Sequence, residues 1–278
     1  MEMQTTTKLS VKTGYEFLTE MTAIETDFNA FTPRINPITN RVEYIRYQLT
    51  KMNVPFELDY FNADNPETLH IDKNKYVNVY AFFKGENSAN ETIVFLAHHD
   101  IVNLNSENCQ DNTASVCNLL HLCNILKGEK LNRNVLVVFT DAEEIVSYKT
   151  CGAKRLAILS NLGMFGKVIK AINLELTAIG ECLWVSSVKS NILMNEMQIK
   201  YNAEIVKTPY NDAFVLEDNG MNSVCIGTLT NRDLDIALLY NFCNTWSLCH
   251  KDFDTIEGAN AEDMKRFVEN VLLKIALA

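Results

Sequence analysis

The stretch Ile93-Val94-Phe95-Leu96-Ala97-His98-His99-Asp100 decides the fold of this chain. Five consecutive apolar residues predict a strand that is buried on both faces, as strands are in the parallel sheets of α/β proteins. His98 and Asp100 follow at the carboxyl end of that strand, where open α/β sheets bind their ligands. The stretch therefore predicts a central strand with a candidate site at its end.

Two more apolar runs lead into acidic residues. Val135-Leu136-Val137-Val138-Phe139 is followed by Glu143 and Glu144, and the run 168–174 is followed by Glu175. Because ligands bind beyond the carboxyl ends of such strands, we expect these carboxylates to lie near the end of the first strand. Polar ligands that arrive from several strands indicate one metal site better than scattered surface charge.

Asp111 and His250 complete the set of candidate ligands. Asp111 opens the apolar stretch 114–126, which is predicted to be a helix, and His250 precedes the amphipathic C-terminal stretch. A plain helix N-cap is the alternative interpretation of Asp111, because aspartate fills that position readily. The other scarce histidines, His70 and His121, are predicted to be ordinary core or surface residues.

Local chemistry favours a site over isolated surface residues. Asp100 can accept the second ring N–H of His98, which fixes the tautomer that leaves one nitrogen free for metal. The adjacent carboxylates of Glu143 and Glu144 repel each other at the rim of a core unless a bound dication offsets their charge. The alternative interpretation is that both lie in a solvated loop. A lone carboxylate at Glu175 would cost several kcal/mol unless paired or metal-bound.

Strand and helix patterns alternate along the chain, which predicts a three-layer α/β/α sandwich with a mixed, mostly parallel central sheet. We expect one catalytic domain over residues 1–278, with helices at about 11–53 packed on it and no lid or accessory domain. The predicted helices are 11–27, 38–53, 113–126, 150–160, 190–200 and 261–278, and the predicted strands are 56–61, 76–83, 93–97, 134–140, 168–176, 181–188 and 223–227.

Composition narrows the class of partner. The chain has 278 residues, 47% of them apolar, and a formal net charge of −10. We expect no nucleic acid and no anionic membrane as partner, since both need a basic surface. No apolar run approaches the ~18 residues of a membrane span.

The N-terminus and the cysteines predict a cytoplasmic protein. The first eight residues lack the basic start and apolar core of a signal peptide. Eight cysteines are present without a Cys-x-x-Cys pair, so we expect free thiols in a reducing compartment and no thiolate zinc site.

From the strand at 93–97 onward, the chain resembles the co-catalytic zinc exopeptidases. That family includes bacterial leucine-type aminopeptidases, glutamate-carboxypeptidase-like enzymes and glutaminyl cyclases. The resemblance covers about residues 90 to 278 in the family's order. The matching motifs are Ala97-His98-His99-Asp100, Asp111-Asn112-Thr113-Ala114-Ser115, Phe139-Thr140-Asp141-Ala142-Glu143-Glu144, Asn173-Leu174-Glu175, Tyr210-Asn211-Asp212 and His250-Lys251-Asp252-Phe253-Asp254-Thr255.

The resemblance implies two Zn²⁺ ions per chain, for which Mn²⁺ or Co²⁺ could substitute. His98 and Glu175 would hold one ion, and Glu144 and His250 would hold the other. Asp111 would bridge the two ions together with a water or hydroxide.

The resemblance also implies roles for three residues that do not bind metal. Asp100 would orient His98, Glu143 would be the general base, and Tyr210 would donate a hydrogen bond to the developing oxyanion. It further implies a cis peptide bond between Asp111 and Asn112.

Three departures from the family pattern surround the expected pocket. Ser115-Val116 stands where a glycine is usual, the segment 145–151 replaces a glycine-rich turn, and Ala213 stands where some members have a histidine. These changes reshape the substrate pocket and leave every metal ligand intact.

The motifs predict a zinc-dependent metallo-exopeptidase. The leading prediction is an aminopeptidase that hydrolyses the N-terminal bond of a peptide or small amide substrate through a water held between two zinc ions, with Glu143 as base. The alternatives are a glutaminyl cyclase-like acyltransferase, a carboxypeptidase or amidohydrolase on the same site, and a non-catalytic binding module. The sequence leaves the oligomeric state open.

Overall fold

A computed structural model describes residues 11–23, 40–62, 76–144 and 151–278. Within these ranges the chain forms eight strands and ten helices. The strands are β1 (Phe56–Phe61), β2 (Tyr76–Phe83), β3 (Ser88–His98), β4 (Arg133–Thr140), β5 (Lys167–Leu174), β6 (Cys182–Ser186), β7 (Glu204–Ile205) and β8 (Ser223–Leu229). The helices are α1 (Gly14–Thr22), α2 (Asn40–Lys51), α3 (Ala114–Leu126), α4 (Gly152–Asn161), α5 (Asn191–Tyr201), α6 (Asp212–Asp218), α7 (Asn231–Tyr240), α8 (Asn244–Leu248), α9 (Ala261–Phe267) and α10 (Leu273–Leu277).

The strands form one sheet in the order β1-β2-β4-β3-β5-β8-β6-β7. The four central strands β4, β3, β5 and β8 run parallel to one another. Antiparallel pairs flank them: β1 with β2, β2 with β4, and β6 with β8. Helices cover both faces, so the predicted α/β/α sandwich with a mixed, mostly parallel sheet is confirmed.

The side chains of β3 divide between two cores. Ile93, Phe95 and Ala97 pack with residues of α1, α2, α3 and α9 on one face. Val94 and Leu96 pack with residues of α4 and α6 on the other. All five are fully buried, because β3 lies between β4 and β5 and successive strand residues point to opposite faces. The predicted buried strand at 93–97 is confirmed.

The two N-terminal helices pack on the same face of the sheet. Helix α1 begins with a capping box, in which Thr13 and Glu16 each accept a hydrogen bond from the other's backbone N–H. Its Phe17 is buried, and the Phe17 carbonyl accepts a hydrogen bond from the Tyr44 hydroxyl of α2 at 3.1 Å. Both helices fall within predicted stretches, whose outer residues 24–27 and 38–39 lie outside the described residues.

One predicted strand boundary and the alternative interpretation of Asp111 were wrong. Strand β5 ends at Leu174, so Glu175 lies just beyond the strand and not within it. The chain turns away at Leu176, which has a φ of 55°, after the Glu175 N–H has bonded the Ile226 carbonyl at 3.0 Å. Helix α3 begins at Ala114, so Asp111 is not its N-cap.

The sequence pattern did not predict β7, α6, α7 or α8. A strand of two residues and helices of five and seven residues are too short to show a period. The ten-residue helix α7 does carry a sequence signal for its start, namely the N-cap residue Thr230, which accepts a hydrogen bond from the Asp233 N–H at 3.2 Å.

All eight cysteines are free thiols, as predicted. Within the described residues, no helix has both the length and the apolar character that crossing a bilayer requires.

Gly227 of β8 generates a stability prediction. A Cβ there would overlap the Glu175 carbonyl oxygen and come within 2.5 Å of the Trp184 ring. We expect Gly227→Ala to lower the free energy of unfolding by about 3 kcal/mol or more, the upper range for overpacking. Urea denaturation measures the change.

Gly128→Ala is the matched control. The nearest atom to a Cβ at Gly128 is 3.7 Å away, an ordinary contact. Its free energy of unfolding should stay within about 0.5 kcal/mol of the parent protein. Equal stability of the two variants would contradict the packing described for β8.

Candidate active site

The side chains proposed from the sequence converge at the carboxyl edge of the central sheet. His98 is the last residue of β3, Glu143 and Glu144 follow β4, and Glu175 follows β5. These four side chains line one cavity of about 470 Å³, which Asp111, Tyr210 and His250 also line. The parallel strands are responsible, because their carboxyl ends lie side by side at one edge.

Asp111 occupies the centre of the site. Its Oδ1 lies 3.2 Å from His98 Nε2, and its Oδ2 lies 3.2 Å from His250 Nε2. His250 Nε2 is also 2.9 Å from Glu144 Oε2, and His98 Nε2 is 3.7 Å from Glu175 Oε2. The two oxygens of one carboxylate therefore face two different imidazoles, each accompanied by a second carboxylate.

An irregular turn at Cys109–Thr113 brings Asp111 to this position. Asp111 and Asn112 both have non-helical backbone angles, and the bond between them is cis, which agrees with the expectation from the resemblance. The Asn112 side-chain amide donates to the Leu174 carbonyl at the end of β5 at 2.8 Å. Asp254 accepts hydrogen bonds from the backbone N–H of Gln110 at 2.8 Å and of Asp111 at 3.2 Å.

Asp100 joins two of the strand ends. Its Oδ1 lies 3.4 Å from His98 Nδ1, on the side of the ring away from the cavity ligands. The same carboxylate accepts the backbone N–H of Glu143 at 3.3 Å and of Glu144 at 3.0 Å. Strand β3 ends at His98, so Asp100 reaches the ring from the segment that follows the strand.

Five carboxylates crowd the site, of which Asp100 is buried and the other four are half-buried. We call Asp100, Asp111, Glu143, Glu144 and Glu175 the acidic cluster. Burial raises the pKa of Glu143 well above its usual range, and the neighbouring carboxylates of Asp212 and Glu144 add to the rise. Burial also raises the pKa of Glu144, to about 7, with Asp111 contributing, and raises the pKa of Glu175. The site therefore favours any ligand that brings positive charge.

The two imidazoles supply part of that charge. Hydrogen bonds with Asp111 and Glu144 raise the pKa of His250 to about 10. Burial alone would lower the pKa of His98, but Glu175, Asp100 and Asp111 outweigh it and raise this pKa well above its usual range. Burial would raise the pKa of Asp111, but its hydrogen bonds with His250 and His98 hold it below the usual range.

The donor set fits divalent metal. Ligand atoms of His98, Asp111 and Glu144 all lie within 4.8 Å of one another. Glu144 Oε1 is buried and has no hydrogen-bond partner among the described residues. Such an oxygen is costly unless something binds it. Imidazole nitrogens and carboxylate oxygens are the ligand types of catalytic zinc sites.

Tyr210 lines the cavity but its hydroxyl is engaged elsewhere. The hydroxyl donates to Asp218 Oδ2 at 2.5 Å, and its ring packs edge-on against Phe214 with centroids 5.6 Å apart. To donate a hydrogen bond to an oxyanion, the hydroxyl first has to break its hydrogen bond with Asp218.

The other histidines lie away from the cavity or outside the description. His121 is buried in α3, and burial lowers its pKa to about 4, as for an ordinary core residue. His70 lies outside the described residues.

Two buried acids near the site had no predicted role, namely Asp212 and Asp254. Asp212 starts α6 and accepts the Thr140 hydroxyl at 2.7 Å, and burial raises its pKa to about 7. Burial raises the pKa of Asp254 to about 6 against the effect of its two backbone donors. Both stand within the motifs quoted above, which was the one available signal.

Comparisons with known proteins show what the chain is similar to. No curated protein matches the chain. Among solved structures, the LapA aminopeptidase of Legionella pneumophila is similar with a TM-score of 0.70 at 12% identity, over 97% of this chain and 71% of that chain. The glutaminyl cyclase of Porphyromonas gingivalis gives 0.67 at 15% identity, over 95% and 96%. A Zn-dependent exopeptidase from Parabacteroides distasonis gives 0.67 at 15% identity, over 97% and 98%.

At these identities the similar structures show the fold alone. The model of peptidase family M28 matches residues 78–275, well over half of the chain, and that family implies a zinc metallopeptidase. The chain belongs to peptidase family M28.

Proposed function

We propose that the protein is an aminopeptidase that uses two zinc ions. The observation that carries the proposal is the position of Asp111, whose two oxygens each face a different imidazole. Next to one of these oxygens, His98 also lies near Glu175, and next to the other, His250 also lies near Glu144. This arrangement supports two adjacent metal positions that share one bridging carboxylate.

Bound zinc would polarise the scissile carbonyl and make water a nucleophile at neutral pH. Glu143 then moves the proton. It lines the cavity beside Glu144. A carboxylate oxygen of Glu143 takes the proton of the attacking water and passes it to the leaving amine, a transfer suited to a carboxyl group whose pKa is raised by burial.

Residues beneath the cavity hold this geometry. Asp100 keeps His98 in the tautomer that presents Nε2 to the cavity, and it fixes the backbone of Glu143 and Glu144 through two N–H groups. One carboxylate thus sets the distance between a metal ligand of β3 and the base after β4. Tyr210 can stabilise the oxyanion after its hydroxyl leaves Asp218.

The charge of the cavity favours the amino end of a peptide. Its described lining holds the carboxylates of Asp111, Glu143, Glu144 and Glu175, and no lysine or arginine among the described residues lines it. Its carboxylates can accept hydrogen bonds from a free α-ammonium group, whereas no cationic side chain among the described residues of the lining can pair with a C-terminal carboxylate. This asymmetry supports an aminopeptidase over a carboxypeptidase.

Substrate end-groups test the proposal. We expect leucine p-nitroanilide to be hydrolysed, and acetylation of its amine to lower kcat/KM by about 10–100-fold, because a hydrogen-bonded charged group contributes about 1.5–3 kcal/mol. Amidating the carboxyl end of a leucine dipeptide should leave its cleavage unaffected.

Peptides with N-terminal glutamine extend this test. Release of pyroglutamate with no free amino acid would replace the proposal with a cyclase. Faster cleavage of substrates with a free carboxylate and a blocked amine would replace it with a carboxypeptidase.

Metal content separates the roles of the two adjacent glutamates. The parent protein should bind two zinc ions per chain. Glu143→Gln should keep both ions and lose about 10²–10⁴-fold in turnover, because an amide cannot accept the proton of water at neutral pH. Glu144→Gln should lose one ion, because a neutral amide is a poorer metal ligand than a carboxylate. Elemental analysis and peptidase rates on the same samples measure both effects.

Circular dichroism is the control that both variants are folded. Parent-level turnover in Glu143→Gln would contradict its role as base. Equal loss of zinc from the two variants would show that the roles of the pair are wrongly assigned, and trace zinc in the parent protein would refute the metal site itself.

A further inference from the structure

Arg41 is a buried cation next to the metal site, and it comes from the N-terminal part of the chain. It is the second residue of α2 and is 4% exposed. It precedes the residues 78–275 that match the family model. A buried guanidinium is costly unless it is fully hydrogen-bonded or paired, so its contacts carry information.

The guanidinium binds three segments that surround the candidate ligands. Its Nη1 donates to the His99 carbonyl at 3.2 Å, directly after β3. Its Nη2 donates to the Glu107 carbonyl at 3.4 Å and to the Thr113 hydroxyl. Thr113 in turn donates to the Asn108 carbonyl at 2.7 Å. The segment after β3 and the segment before α3 are therefore both hydrogen-bonded to the side chain of Arg41.

These contacts adjoin two candidate metal ligands. His99 follows His98 directly, and Thr113 lies two residues after Asp111. His98 Nε2 and Asp111 Oδ1 are 3.2 Å apart, although they come from a strand end and from an irregular turn. A planar guanidinium can hold two such segments at a fixed spacing, because its donors form a rigid fork.

The charge of Arg41 is also placed beneath the acidic cluster. Burial lowers the pKa of Arg41 to about 10, and the carboxylates of Asp100 and Asp254 act against that decrease. The group is therefore cationic near neutral pH. Asp100 and Asp254 are the same two carboxylates that hold the backbone of Glu143, Glu144 and Asp111.

We propose that Arg41 is a positioning residue of the metal site, which fixes the spacing of His98 and Asp111 through the His99 carbonyl and the Thr113 hydroxyl. It touches neither substrate nor metal. Helix α2 is then part of the catalytic apparatus, and its removal would cost metal affinity as well as stability. The inference rests on the metal ligands proposed above.

Arg155 provides a matched control. It is also 4% exposed, and it pairs with Asp59 through hydrogen bonds of 2.7 and 2.8 Å on the helix α4. It does not line the cavity. Arg41→Met and Arg155→Met both remove a buried guanidinium, so a loss due only to stability affects both variants.

The experiment measures the zinc affinity of metal-free protein by competition with a chelator, well below the unfolding temperature. We expect Arg41→Met to bind zinc about 10–100-fold more weakly than the parent, the usual effect of removing a partner of the ligands. At saturating zinc its kcat should remain reduced with KM little changed. Arg155→Met should match the parent in zinc affinity and kcat, whatever its melting temperature.

Lysine variants keep the test decisive if either methionine variant does not fold. Lysine retains the charge and loses the fork, so Arg41→Lys should recover only part of the zinc affinity, while Arg155→Lys should equal the parent. Parent-like zinc binding in the Arg41 variants, or equal losses in the Arg41 and Arg155 variants, would overturn the proposal. Failure of both Arg41 variants to fold would overturn it too. Absence of zinc from the parent protein would instead refute the proposed function.

Discussion

Repulsion among crowded carboxylates is the constraint on which the site depends. The acidic cluster places five carboxylates within one region, and burial raises the pKa of three of them. Two imidazoles offset part of the charge by binding opposite oxygens of Asp111. A charge without a partner away from water costs several kcal/mol, so the remaining carboxyl groups either take up protons, as their raised pKa values indicate, or bind a cation. The affinity for divalent metal follows from this imbalance and from the ligand types together.

The fold makes such a cluster possible because the apolar residues of the central strands are buried in the cores, while the polar residues lie at the carboxyl edge of the sheet. Residues Ile93 to Ala97 pack into cores on both faces, and the next residue, His98, enters the cavity. The core therefore holds the strand rigidly up to the point where the chemistry begins. Backbone donors and acceptors beyond the strands are taken up by Asp100, Asp254 and Arg41, so the ligands are supported by a second layer of charged groups. Outer partners of this kind orient ligands and tune their affinity.

The sequence predicted the long elements and the side chains that converge at the edge of the sheet, because both depend on local patterns. A run of apolar residues such as Ile93 to Ala97 predicts a buried strand. The exact end of β5 could not be predicted, since residue types alone do not show that the chain turns at Leu176. The helices α6 and α8 are too short for a period.

The roles of Asp254 and Arg41 could not be predicted for a different reason. Both act through hydrogen bonds to residues more than 50 positions away, with sequence separations of 144 for Gln110–Asp254 and 58 for Arg41–His99. No periodicity or motif spacing encodes such a contact. Tertiary structure alone brings those partners together, so the supporting layer becomes visible only after the fold is known.

Similarity of fold does not choose among the activities of this architecture. Structures described as an aminopeptidase and as a glutaminyl cyclase resemble this chain to nearly the same degree. What distinguishes the activities is which end of a peptide the cavity attracts and which proton the base moves. Here Glu143 stands in a lining that carries four carboxylates and, within the described residues, no lysine or arginine. A lining of this kind can accept hydrogen bonds from the ammonium group of a peptide and, among the described residues, offers its carboxylate no cationic side chain. The proposed direction of substrate binding therefore rests on the side chains of the cavity and not on the fold.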